Sequence, residues 1–119
     1  MDYPDFRLDG RVALVTGASK GIGWDLARAL AAAGARVAVA ARDLNSLKRL
    51  AGEIEAEGGQ AMAVELDVRD ASQIGSGFEQ VREHFGSLDV LVNNAGLGAN
   101  HPAEDVTESD WDEMMAVNL

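Results

Sequence analysis

The 119 residues contain no cysteine, so disulfide cross-links and thiolate-held metals are excluded. Basic residues are scarce, ten against twenty acidic ones, for a formal net charge of −10. So negative a surface repels phosphate backbones and anionic headgroups, which argues against nucleic acid or membrane as a partner. It leaves room for one small phosphorylated ligand in a local basic pocket. Long apolar runs are also missing: charge or glycine interrupts each one well short of the roughly 18 residues a membrane span needs. Met1-Asp2-Tyr3-Pro4-Asp5 has neither the basic start nor the apolar core of a secretory leader, so the cytoplasm is the expected compartment. The two histidines, His84 and His101, stand far apart in sequence without other ligands at metal spacing, and both are read as surface residues with no metal site. The acidic run from Glu104 to Glu113 is read as a solvated segment whose carboxylates suit a helix start.

What is present is alternation. Hydrophobic residues make up 47% of the chain and charged residues 25%, the balance of an ordinary globular domain. Val12-Ala13-Leu14-Val15 is a short run with no polar face, as expected of a strand buried on both sides. Ile22, Leu26, Leu30 and Ala33 then recur at helical spacing, and Gly34 stops that helix. Val37 to Ala41 reads as a second strand; Leu44, Leu47, Leu50, Ala51 and Ile54 as a second helix closed by Gly58-Gly59. Met62-Ala63-Val64 with Leu66 is a third strand, and Ile74, Phe78, Val81 and Phe85 mark a third helix ended by Gly86. Val90-Leu91-Val92 is a fourth strand, and another helix opens near Ser109 or Asp110. Strands and helices that alternate over short connections predict an α/β domain with a doubly wound parallel sheet ordered 3-2-1-4. Its ligand crevice is expected beside the first strand, where the winding reverses.

The turn after that strand, Thr16-Gly17-Ala18-Ser19-Lys20-Gly21-Ile22-Gly23, is built for an anion. Gly17 lets the chain leave the strand in a conformation that a Cβ obstructs. Gly21 and Gly23 allow close approach to the helix start, where unpaired N–H groups and the helix dipole favour negative charge. A glycine-rich turn that serves packing alone is the plain alternative.

The spacing Thr16-Gly17-x-x-x-Gly21-x-Gly23 resembles the cofactor motif of the short-chain dehydrogenase/reductase family. Three more segments agree in order and spacing: Leu66-Asp67-Val68 resembles the family's adenine-contacting segment, Asn93-Asn94-Ala95-Gly96 its NNAG motif, and Val117-Asn118-Leu119 the segment that holds its proton-relay asparagine. The likeness runs from about Gly10 to Leu119. It implies a Rossmann-like domain in which Gly17, Ser19, Lys20, Gly21, Ile22 and Gly23 hold a dinucleotide's phosphates, Asp67 and Val68 contact adenine, and Asn94, Ala95 and Gly96 lie along the cofactor or bind strand to strand. Asp67 could accept from the exocyclic adenine amine, whereas Asp70 is better placed to start the third helix.

An acid at the end of the second strand favours NAD by holding the ribose 2′-hydroxyl. Here that position is Ala41, followed by Arg42. Arginine can grip a 2′-phosphate with two hydrogen bonds, and Ser19 and Lys20 could reach the same group. NADP is therefore expected, with NAD as second choice. Asp43 is an acid close by, read as the cap of the second helix.

Family chemistry uses a serine, a tyrosine and a lysine four residues after the tyrosine, the tyrosine acting as acid and base on the substrate oxygen. This sequence has one tyrosine, Tyr3, with Arg7 four residues on, and its lysines are Lys20 and Lys48. Asn118 is the only member of the catalytic tetrad that carries over. The resemblance thus implies an alcohol–carbonyl oxidoreductase acting on a small-molecule substrate, a homo-oligomer (tetramer or dimer), seen through its cofactor-binding half. The apolar fourth strand would be an aggregation-prone sheet edge if nothing followed it, and a continuation past Leu119 is expected. The alternative reading is a non-catalytic NAD(P)-binding module that lacks the tyrosine and lysine. A methyl-transfer fold is disfavoured, because it wants an acid where Ala41-Arg42 stands.

Overall fold

The computed structural model describes residues 7–94. The elements in order are β1 (Val12–Thr16), α1 (Gly21–Ala32), β2 (Arg36–Ala41), α2 (Leu44–Ala56), β3 (Gln60–Glu65), α3 (Ala71–Phe85) and β4 (Val90–Val92). The four strands form one sheet in the order β3-β2-β1-β4, and every pairing is parallel. This is the doubly wound arrangement the alternation predicts. The helix expected near Ser109 lies outside the described residues.

Side chains that alternate along the central strands build two cores. Val12, Leu14, Ala38, Ala40 and Val64 point to one face, where Ile74, Phe78, Val81 and Phe85 of α3 cover them. Ala13, Val15, Val37 and Val39 point to the other, against Ala27 and Leu30 of α1 and Leu47, Leu50 and Ile54 of α2. Both faces are apolar because crossover helices lie on both. Leu14, Leu47, Leu50 and Ile54 are among the fully buried side chains, each contributing about 1.5–3 kcal/mol on burial.

The ends of the elements are fixed locally. Asp43 caps α2 and Asp70 caps α3 by accepting from backbone N–H groups of the first turn, as the sequence predicts for both. Helix α1 closes with Gly34 N–H on Ala31 O at 3.0 Å and Ala35 N–H on Leu30 O at 3.1 Å. The same pair of bonds closes α2, from Gly58 to Glu55 at 3.0 Å and from Gly59 to Ile54 at 2.9 Å. These are Schellman endings. At the amino ends of the strands, Asp89 accepts from Val12 N–H at 2.8 Å and returns its own N–H to Val12 O at 2.9 Å, which ties β4 to β1 in register.

One expected face needs correcting. Of the stripe Ile22, Leu26, Leu30, Ala33, only Leu30 is buried; the buried residues of α1 are Gly23, Ala27 and Leu30. Ile22 is 66% exposed and is the exposed large hydrophobic residue among those described. The reason is steric. A Cβ on Gly23 would lie 2.9 Å from the carbonyl carbon of Gly17 and 2.7 Å from Nδ2 of Asn94. The helix therefore presents its smallest residue to the turn and carries Ile22 outward, toward the carboxyl end of the sheet. Small residues at Gly23 and Ala27 leave a hydrophobicity pattern that points to the wrong side.

Candidate functional site

The carboxyl ends of the strands carry two neighbouring clusters. The first is the turn between β1 and α1. Gly17 has φ +64° and Gly21 φ +62°, a region that costs a residue with a Cβ about 1–2 kcal/mol. Between them Ala18 is fully buried and its N–H bonds Ala40 O at 3.2 Å, which pins the turn to the end of β2. Ser19 is half-buried and Lys20 exposed. Lys20 occupies the N-cap position of α1 in extended conformation and makes no side-chain cap bond. The first turn of α1 holds no acidic residue. Of the three helices described, α2 and α3 start on an aspartate and α1 starts on bare backbone.

The turn is braced from the end of β4. Thr16 is only 5% exposed; its Oγ accepts from Asn94 N–H at 3.0 Å and lies 3.1 Å from Asn93 Oδ1 and 3.4 Å from Val92 O, either of which can take its proton. The Asn94 side-chain amide donates to Gly17 O at 3.2 Å. Asn94 is thus held in a strand-to-turn bond, one of the two roles its sequence context allows. The brace from Thr16 and Asn93 was not assigned from sequence. Its signal is a hydroxyl residue that ends an apolar strand just before the first glycine.

The second cluster joins the ends of β2 and β3. Leu66 N–H bonds Ala41 O at 2.9 Å, which sets the segment Leu66–Asp70 beside Arg42. Arg42 is exposed. Asp43 is turned away from it: its carboxylate accepts from Ser46 N–H at 3.2 Å and Ser46 Oγ at 2.8 Å, and those bonds hold its pKa below the usual carboxylate range. The nearby acid is therefore committed to capping α2.

Asp67 is paired with Arg69 and lies within the field of Arg42. Arg69 binds it through Nε at 3.0 Å and Nη2 at 2.9 Å, and through its own backbone N–H at 2.9 Å. These bonds, together with the field of Arg69 and then of Arg42, lower the Asp67 pKa from 3.8 to about 2. Gln73 shapes the same loop: its Oε1 accepts from Asp67 N–H at 2.9 Å, and its Nε2 donates to Asp70 at 3.2 Å. Val68 packs part-buried against the α3 side of the core. Arg69 and Gln73 were not singled out from sequence; the Asp-x-Arg spacing in a loop is the available signal.

The structure therefore brings Gly17, Ser19, Lys20, Gly21, Ile22, Gly23 and Asn94 together at one turn, and Arg42, Asp67 and Val68 at the adjoining strand ends. Ala95, Gly96 and Asn118 lie outside the described residues. Among those described, no group of three or more His, Asp or Glu residues could hold a metal ion, and no helix is long and apolar enough to cross a membrane.

A parallel sheet wound in both directions from β1, with a glycine turn opening onto an uncapped helix, is the doubly wound, Rossmann-like class of α/β domain. Within that class, the family model of the short chain dehydrogenases matches residues 11–119. The chain belongs to this family. It is 42% identical over 115 residues to D-threitol dehydrogenase of Mycolicibacterium smegmatis, covering 97% of this chain and 44% of that protein. Among solved structures, a 7α-hydroxysteroid dehydrogenase complexed with NADH and 7-oxo glycochenodeoxycholic acid superposes with a TM-score of 0.78 at 35% identity, covering 96% of this chain and 45% of the other. L-Sorbose reductase of Gluconobacter frateurii, complexed with NADPH and L-sorbose, superposes with a TM-score of 0.76 at 34% identity, covering 91% and 41%. The chain spans less than half the length of these relatives. Its family is one of oxidoreductases, and the relatives include binders of both reduced cofactors.

Proposed function

We propose that this chain is the cofactor-binding portion of an oxidoreductase that interconverts an alcohol and a carbonyl compound, with NADP(H) as its cofactor. The observation that carries the reading is the start of α1. Its N–H groups meet neither a side-chain cap nor a first-turn carboxylate, and the space around a Cβ on Gly21 is open to 4 Å. Backbone donors of this kind, with the positive end of the helix dipole behind them, suit a pyrophosphate. The residues present fit such a group. Ser19 to Gly23 would hold its phosphates, with Ile22 covering them from the exposed side.

The second cluster supports the preference for a 2′-phosphate. Ala41 offers no carboxylate to repel that group, Asp43 is engaged at α2, and the exposed guanidinium of Arg42 is available to it. Asp67 and Val68 would receive the adenine base. A bound nicotinamide ring would supply the hydride chemistry at its C4. What the residues described here contribute is binding and orientation: the glycine turn holds the phosphates, and the Thr16–Asn93–Asn94 brace keeps that turn in place. Asn118 is proposed as the proton-relay member of the family's tetrad. The partner is a small-molecule alcohol or carbonyl compound; family resemblance supports assembly as a homo-oligomer, and the cytoplasm is the proposed compartment.

The test is calorimetric titration of the protein with NADP and with NAD. NADP is expected to bind more tightly, by about tenfold or more, the contribution of a charge-assisted bond. Equal affinity for both would remove the NADP assignment, and the absence of heat with either would remove the reading as a whole.

A further inference from the structure

Asp67 is not simply a loop carboxylate that happens to face solvent. An ionised carboxylate offers about four acceptor sites, and Arg69 fills three of them: backbone N–H and Nε on Oδ1, Nη2 on Oδ2. One site, on Oδ2, remains. The chelate closes over only two residues of separation, so its geometry is set by the loop. The loop is in turn fixed by Gln73 on Asp67 N–H and by the Asp70 cap of α3. The Asp67 side chain is 25% exposed and that of Arg69 65%. The carboxylate is thus the more buried partner of the pair.

We propose that Arg69 is a positioning residue that clamps the Asp67 carboxylate with its remaining acceptor site directed at the exocyclic amine of an adenine base. This deepens the reading of the cofactor site and rests on it. Both arginine nitrogens that hold Asp67 come from one planar fork, so the carboxylate cannot rotate without losing both bonds. A free aspartate would have to be ordered when the base arrives; a clamped one is ordered beforehand. The low pKa of Asp67 is consistent with a carboxylate kept as a pure acceptor. Such an acceptor welcomes a 6-amino group and rejects a 6-oxo group, which presents an oxygen to it. Arg69 thereby acts as a specificity determinant for the base, without touching it.

The experiment compares NADP with its deaminated, hypoxanthine-containing analogue, and NAD with its own, by calorimetry on the wild-type protein and on Arg69→Ala, Arg69→Lys and Asp67→Asn. The ratio of affinities, adenine over hypoxanthine, is the readout, because the loss of a positive charge near an anionic cofactor cancels in it. The wild type is expected to prefer adenine by about tenfold or more. That ratio should fall several-fold in Arg69→Ala, recover in part in Arg69→Lys, and vanish in Asp67→Asn. Arg69 is exposed, and unchanged far-UV circular dichroism checks each fold. Equal weakening of both bases in Arg69→Ala, an unchanged ratio, or a loss confined to the 2′-phosphorylated cofactors would each overturn the clamp. Binding of both cofactors by the wild type with no preference for the amine overturns it while the cofactor reading stands. No binding of any dinucleotide brings down both.

Discussion

The side-chain amide of Asn94 donates to the carbonyl oxygen of Gly17 at 3.2 Å, across the same narrow gap that Gly23 leaves by having no Cβ. The contact joins the end of β4 to the turn where α1 begins. It predicts different outcomes for two glycines that a sequence motif treats alike. Gly23→Ala places a methyl group 2.7 Å from Asn94 Nδ2 and 2.9 Å from the Gly17 carbonyl carbon, and overpacking of this kind costs about 1–3 kcal/mol. Gly21→Ala meets nothing within 4 Å and carries only the strain of its positive φ, about 1–2 kcal/mol. Chemical denaturation should rank Gly23→Ala as no less destabilised, and should show Asn94→Ala relieving part of the Gly23→Ala loss. Additive losses in the double variant would show that the two residues are not coupled.

Thr16 holds the brace from the strand side. Thr16→Val keeps the shape of the side chain and removes its hydroxyl, so the bond from Asn94 N–H is lost. The expected cost is about 1–3 kcal/mol, the range for a buried polar group deprived of its partner. Thr16→Ser, which keeps the hydroxyl, should retain most of the stability. A Thr16→Val protein as stable as the wild type in urea would contradict the structure of the brace.

Arg42 carries the proposed choice of cofactor. Arg42→Ala should weaken NADP by about ten- to a hundredfold, the equivalent of one charge-assisted bond, and leave NAD nearly unchanged. Titration of both cofactors measures the split. Equal weakening would assign Arg42 to general attraction of anions.

Acid should destabilise the protein in a defined window. The folded pKa of Asp67 is depressed from 3.8 to about 2, and those of Asp43 and Asp70 are lowered by their cap bonds to Ser46 and to Ser72 and Gln73. A depressed carboxylate stabilises fully above its unfolded pKa, and that stability is lost as pH falls through the folded value. Melting temperatures should therefore hold steady above about pH 5 and fall as pH drops below 3.8 toward 2. In Asp67→Asn the fall should be shallower. An identical pH profile for that variant would mean the ion pair with Arg69 contributes nothing to stability.

The strand order and the seven elements from β1 to β4 were legible because buried parallel strands are short apolar runs, and α2 and α3 carry full stripes of large side chains. Helix α1 shows where that signal breaks down. Its sheet-facing residues Gly23 and Ala27 are too small to register as hydrophobic, so Ile22 and Leu26 dominate the pattern although neither is buried. The glycine turn and the caps Asp43 and Asp70 were legible because each is local, set by residues close together in the sequence. The stitching role of Asn94 was one of two its motif allows, but its partner Thr16 was not legible, since that brace joins residues 76 to 78 positions apart. Arg69 was missed for a different reason: the Asp-x-Arg spacing signals a pair, but a clamp differs from an ordinary surface pair only in engaging both carboxylate oxygens.

The central claim is that backbone amides at the start of α1 hold the pyrophosphate of a pyridine dinucleotide. Amide proton and nitrogen shifts of an isotope-labelled protein, followed as NADP is added, test it residue by residue. The largest changes are expected on Ser19 to Gly23, saturating together with those of Arg42 and Val68. Saturable binding that leaves the amides of Gly21, Ile22 and Gly23 unmoved would contradict it.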